Sequence, residues 1–106
     1  MVTMTGNRDG QAQRDIDDLC AALQQCATAQ ETVRFLLDLT TPGELAALAE
    51  RWRVARLLDA GELSYREISA RTGVSTTTVT RVARFLSQEP HRGYRLVLDR
   101  MKEDPQ

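Results

Sequence analysis

The run Ser75-Thr76-Thr77-Thr78-Val79-Thr80 places five hydroxyl side chains in six positions, and Arg81 and Arg84 follow within the next turn. Threonine is a mediocre helix former because β-branching restricts its rotamers, so helix stability does not explain four of them here. Their chemistry does. Short hydroxyls and methyls lie close to base edges in a DNA groove, exchanging hydrogen bonds and contacting the thymine methyl, while a helix N-terminus favours phosphate. A solvated helix face with a capping serine is the plain alternative for the same residues. Tyr65 and Arg66, upstream, are suited to phosphate or an outer base if they open a helix packed across this one.

Catalysis has no comparable set of residues. His91 follows Pro90 in a connection, and local spacing assigns it no Ser, Cys or carboxylate partner. Cys20 and Cys26 are six apart, on different faces of a helix, which suits neither a disulfide nor a metal pair, and both read as small, mostly buried apolar residues. There is no glycine loop for phosphate and no Cys/His cluster for zinc. The chain is therefore not expected to be an enzyme, and no cofactor or metal is expected.

Hydroxyl-rich residues read a groove only if two short helices hold them at a steep angle. That needs apolar residues where the helices meet, a small residue where the backbones approach and glycine in the turn. Ile68, Val74, Val79 and Val82 are the apolar set, Ser69 is the small residue, and Gly73 takes the turn conformation that costs other residues energy. Ser64 with Glu67 makes a capping box that opens the first helix, predicted through Arg71. Ser75 caps the second, predicted to Leu86. The helix-turn-helix thus spans 64–86, with the recognition helix at 75–86.

Helical spacing also recurs elsewhere. Ile16, Leu19, Cys20 and Leu23 form one stripe, and Val33, Leu36 and Leu37 a shorter one. Thr41, Pro42 and Glu44 punctuate the start of a long helix running to about Ala60, with Leu45, Leu48, Trp52 and Ala55 on its apolar stripe and Gly61 ending it. Tyr94, Val97, Leu98 and Met101 define a last helix over 93–101, after a connection from Ser87 to Pro90. The expectation is an all-α protein of six helices. It has a flexible arm at 1–10, one helical domain at 11–101 and a loose tail at 102–106.

At 106 residues with 42% apolar and 27% charged side chains, one soluble globular domain is expected. No run is long and apolar enough for a membrane span, and the first residues lack a signal-peptide core, so a cytoplasmic location is expected. The net charge of −1 hides a gradient: residues 1–40 sum to −3 and residues 64–86 to +3. The positive charge lies with the helix-turn-helix.

From Thr41 onward, TPGELAALAERWRVARLLDAGELSYREISARTGVSTTTVTR resembles the Trp repressor superfamily. The resemblance is carried by the Thr-Pro cap with its acidic follower, Arg51-x-Arg53, the Gly61-Glu62-Leu63-Ser64 turn, the Arg66-Glu67 pair and Thr80-Arg81, and the pattern is closest to the YerC/YecD-type branch. It implies six helices interlocked with a second copy of the chain, hence a homodimer binding double-stranded DNA. Independently, the short first helices cannot bury their stripes alone, and a two-fold dimer would set two recognition helices about 34 Å apart. Trp52 then reads as a core or interface anchor.

Arg51 and Arg81 match the arginines with which the family's repressor holds tryptophan. The rest of that pocket departs: Val82 stands for a glycine, Phe85 for a serine, and Asp38 and Thr40 for two cleft leucines. Val82 and Phe85 are expected to fill the slot, and Asp38 to oppose the ligand's carboxylate if it faces the same way, so control by tryptophan is not expected. Arg51, Arg53 and Arg81 are left as phosphate contacts or as parts of a pocket for an unidentified effector. Two other functions remain at this point. One is a protein-interaction module of the same shape that binds no specific DNA. The other is a regulator gated by a small ligand at the remodelled pocket.

Overall fold

Hydroxyl caps set three of the helix starts in this chain. Thr28 accepts a hydrogen bond from Glu31 N–H (3.1 Å) and Glu31 accepts one from Ala27 N–H (2.8 Å), which fixes the start of the second helix. Ser64 and Ser75 act the same way further on. The computed structural model describes residues 7–103. In order these form α1 (Asn7–Gln24), α2 (Ala29–Leu39), α3 (Pro42–Ala60), α4 (Tyr65–Thr72), α5 (Thr76–Ser87) and α6 (Gly93–Glu103), with no strand among the described residues. None of these helices is long and apolar enough to cross a membrane.

The chain divides at Pro42 and Gly43 into two compact units. In the first, α2 has no buried residue, and Ile16 of α1 is 54% exposed and Leu37 of α2 59%. Cys20 is exposed and Cys26 half-buried, which corrects the expectation that both are mostly buried: the stripe Cys20 shares with Ile16 and Leu19 stays open, and Cys26 lies past the end of α1.

The second unit holds the core. Val54, Ala55, Ile68 and Val79 are fully buried, and Val74 and Val82 complete the cluster, with Trp52, Leu57, Leu58, Leu63 and Tyr94 packed against it. Each of the large side chains contributes about 1.5–3 kcal/mol on burial. Trp52 lies against Tyr94, ring centroids 6.4 Å apart. Gly61 ends α3 in the left-handed conformation (φ 73°). Asp59 near the end of α3 binds Arg95 (2.8 Å) and Lys102 (2.9 Å) of α6, and Arg95 also reaches Asp99 (3.0 Å). The two cations, Lys102 first and then Arg95, hold the Asp59 carboxyl below its ordinary value.

Both chain ends are more helical than expected. α1 starts at Asn7, inside the arm assigned to 1–10, and Gln11 to Asp15 (2.9 Å) and Gln13 to Asp17 (3.0 Å) support its first turns at i, i+4 spacing. α6 runs through Glu103, and the Lys102 pair with Asp59 holds a residue assigned to the loose tail. Residues 1–6 and 104–106 of those two segments lie outside the described residues.

Candidate nucleic-acid interface

The turn between α4 and α5 is fixed by its own side chains. Ser64 accepts from Glu67 N–H (3.1 Å) and Glu67 accepts from Ser64 N–H (2.8 Å), a reciprocal pair that starts α4 and keeps the Glu67 carboxyl below its ordinary value. At the other end Gly73 takes φ 79°, and its N–H closes on Ser69 O (2.9 Å). Ser69 Oγ donates across the turn to Val74 O (2.6 Å), and Thr72 Oγ1 accepts from Val74 N–H (3.2 Å). Ser69 is therefore both the small residue at the close approach and a polar tie across the turn.

α5 separates its residues cleanly. Val79, Val82 and Leu86 are buried, whereas Thr76, Thr77, Thr80, Arg81 and Arg84 are exposed. Thr77, Thr80 and Arg84 recur at i, i+3 and i+7 along one face, with Arg81 beside them. Ser75 and Thr78 are engaged in the helix start: Ser75 Oγ accepts from Thr78 N–H (3.2 Å) and donates to Thr78 Oγ1 (3.2 Å), and Thr78 is half-buried. Tyr65 and Arg66 are exposed on the first turn of α4, and Tyr65 shares a hollow of about 190 Å³ with Thr80 and Arg84.

The arginines on α3 part company. Arg51 lines a hollow with Gly73, Ser75 and Thr78, and also a larger groove of about 580 Å³ with Trp52, Arg81, Val82, Phe85, His91, Tyr94 and Val97. Arg53, two residues on, is exposed and borders neither, since two residues turn a helix by about 200°.

That groove corrects the expectation that Val82 and Phe85 fill the slot. Val82 sinks into the core at 2% exposure, and Phe85 forms a wall, leaving the space open. Phe85 instead gathers its neighbours. The Arg81 guanidinium carbon lies 4.6 Å from its ring centroid and that of Arg84 5.5 Å, while the His91 ring stacks parallel to it at 6.3 Å. Sequence spacing alone could pair Arg81 and Phe85 at i, i+4, but nothing in it signals His91. His91 has this aromatic partner, and no group of three or more His, Cys, Asp or Glu that could hold a metal occurs among the described residues.

Comparisons with known proteins agree with this architecture. YerC of Bacillus subtilis (strain 168), itself described as uncharacterized, is 38% identical over 90 residues, 85% of each chain. A crystal structure of a TrpR-like protein from Eubacterium eligens ATCC 27750 superposes with a TM-score of 0.77 at 30% identity, covering 84% of this chain and 90% of that one. Residues 14–102, nearly everything outside the two ends, match the family described as Trp repressor protein, and the chain belongs to that family, in its YerC-type branch.

Proposed function

We propose that this chain is a cytoplasmic, sequence-specific regulator of transcription that binds double-stranded DNA as a homodimer and represses by occupying its site. The observation that carries this reading is the exposed face of α5. Thr76, Thr77, Thr80 and Arg84 stand on a helix whose opposite side is locked in the core, next to Tyr65 and Arg66 at the start of α4. In the major groove, Thr76, Thr77 and Thr80 meet base edges with Arg84, while Tyr65 and Arg66 meet phosphate. Ser75 and Thr78 contribute by holding the helix N-terminus, whose N–H groups favour phosphate. Arg51 and Arg53 add positive charge from α3.

The homodimer is supported by the apolar faces that one chain leaves open: Ile16, Val33, Leu37 and Leu39 of α1 and α2 are 49–59% exposed. A second copy would cover them and set the two recognition helices one DNA turn apart.

The test is selection of duplexes from a random pool by the full chain, repeated with Thr77→Ala and with Arg84→Ala. A palindromic site that both variants lose supports the reading. If the wild type enriches nothing at physiological salt, a protein-interaction module takes its place. Arg66→Ala is expected to weaken all duplexes alike and Thr77→Ala mainly the preferred one. Equal losses on unrelated sequences would remove Thr77 from base reading.

A second reading is favoured by the open groove, whose aromatic walls and two arginines would suit a small anionic effector. Tryptophan fits it poorly, because Phe85 already takes one face of the Arg81 guanidinium. A melting-temperature screen against amino acids and aromatic acids tests this, since a ligand bound only by the folded state raises the midpoint.

A further inference from the structure

Glu89 sits beside a helix face that the reading above gives to a polyanion, and a carboxylate there costs binding unless it does something else. Its backbone is fixed: Glu89 N–H and Gln88 N–H both donate to Arg84 O, at 3.1 and 2.8 Å. Its side chain returns to the same residue, with Oε2 3.4 Å from Arg84 Nε. The side chains are 34% and 54% exposed, and a pair so open to water contributes little to stability.

The geometry of the contact suggests another role. Glu89 meets the guanidinium at Nε, the nitrogen nearest the stem, while the two Nη groups make none of the described hydrogen bonds. Guanine is read by those Nη groups, as a two-pronged contact to O6 and N7. A free arginine must give up rotamer freedom to make that contact. Here the carboxylate on one nitrogen and the Phe85 ring, 5.5 Å from the guanidinium carbon, restrict it beforehand. Arg84 also shares its hollow with Tyr65 and Thr80, on the side assigned to DNA.

We propose that Glu89 is a positioning residue for base recognition, holding Arg84 so that its Nη groups meet a guanine edge; this rests on the DNA-binding reading. The carboxylate repels phosphate at every sequence, whereas its orienting effect is felt only where Arg84 meets guanine. Removing the charge therefore moves specificity and general affinity in opposite directions, which a merely structural residue would not do.

The test uses the full chain as wild type, Glu89→Gln, Arg84→Lys and the double variant, with selection from a random duplex pool followed by titration of the selected and scrambled duplexes. Arg84→Lys should flatten the preference at one G·C pair per half-site, by about 5- to 100-fold. Glu89→Gln should weaken preference at that same pair by about 2- to 5-fold while tightening binding to the scrambled duplex by about twofold. In the Arg84→Lys background Glu89→Gln should leave that pair unaffected. Melting midpoints within about 2 °C of wild type keep folding out of the comparison. The proposal is overturned if Glu89→Gln leaves the preference intact, lowers all positions equally, or acts at that pair without Arg84. It is also overturned if Arg84→Lys flattens no position. A wild type that selects nothing fails the DNA-binding reading itself, and the role of Glu89 falls with it.

Discussion

Ser69→Ala removes one hydroxyl from the turn and almost no volume, so it measures the tie between α4 and the chain entering α5. Ser69 Oγ donates to Val74 O at 2.6 Å, and Val74 is only 8% exposed. Losing a neutral hydrogen bond and leaving a sheltered carbonyl without that donor costs about 1.5–2 kcal/mol. Alanine is the better helix former by about 0.5 kcal/mol, which offsets part of it. The net expectation is a loss of about 1–1.5 kcal/mol, or a melting midpoint about 5–10 °C lower for a chain of this size. Urea and thermal unfolding at one fixed protein concentration read it out, because association would make the midpoint concentration-dependent. Ser87→Ala is the control: Ser87 Oγ also donates to a carbonyl, Ala83 O at 2.9 Å, but in the open last turn of α5. There the change should stay within about 0.5 kcal/mol. If Ser69→Ala and Ser87→Ala are equally harmless, the bond across the turn is not what holds the motif, and the argument for a preset angle between the helices fails.

Other outcomes follow from single contacts. At Gly73 (φ 79°) an added Cβ meets nothing within 4 Å, so the cost of Gly73→Ala is purely conformational, about 1–2 kcal/mol, and Gly73→Asn should cost less; equal unfolding midpoints for the two variants would contradict this. Val79→Ala, at a fully buried site, should cost about 2 kcal/mol by urea unfolding, and an effect under 0.5 would mean that the α4–α5 contact is loose. Asp59 has a lowered folded-state pKa, first from Lys102 and then from Arg95, against an ordinary value of 3.8. Its contribution is therefore present above about pH 4 and lost as pH falls through the lowered folded value. Asp59→Asn should accordingly lower the urea midpoint at pH 7, with the gap to wild type narrowing as pH falls below about 4, and a gap that does not narrow in acid would point to packing instead.

The helix-turn-helix was legible because its signals are local. Ser64 with Glu67, Gly73 and Ser75 each act within a few residues, and the apolar residues Ile68, Val74, Val79 and Val82 that form the buried cluster lie within the same short segment. The long helix shows where that logic stops. Leu45, Leu48, Trp52 and Ala55 gave the expected stripe, yet Leu48 is 46% exposed while Val54, off that stripe, is fully buried. α3 is apolar on more than one side, and periodicity says which residues share a side, not which side its own chain covers. The extent of the last helix depends on a remote contact for a related reason. Lys102 looks like a polar tail residue until Asp59, remote in sequence, supplies its partner. The groove combined both difficulties: whether Val82 enters the core or the slot depends on the rotation of α5, and the parallel ring of His91 comes from the next connection.

A net charge of −1 would ordinarily count against a partner as acidic as DNA, but a screened field is felt only over about 8 Å at physiological ionic strength. What a phosphate meets is the charge within that distance, and residues 64–86, which carry the proposed interface, sum to +3. Lower salt lengthens the screening distance to about 30 Å at 0.01 M, so repulsion between like charges is screened less there. The proposed interface should thus show two opposing salt effects, release of counterions that favours binding in dilute salt and repulsion from the acidic segment that grows there. Replacing Asp15, Asp17 and Asp18 with asparagine isolates the second: it should steepen the salt dependence of DNA affinity, tightening binding more at 0.01 M than at 0.15 M. A uniform gain at both salts would place those carboxylates within a screening length of bound DNA, and the separation of charge along the chain would not be what permits an acidic protein to bind it.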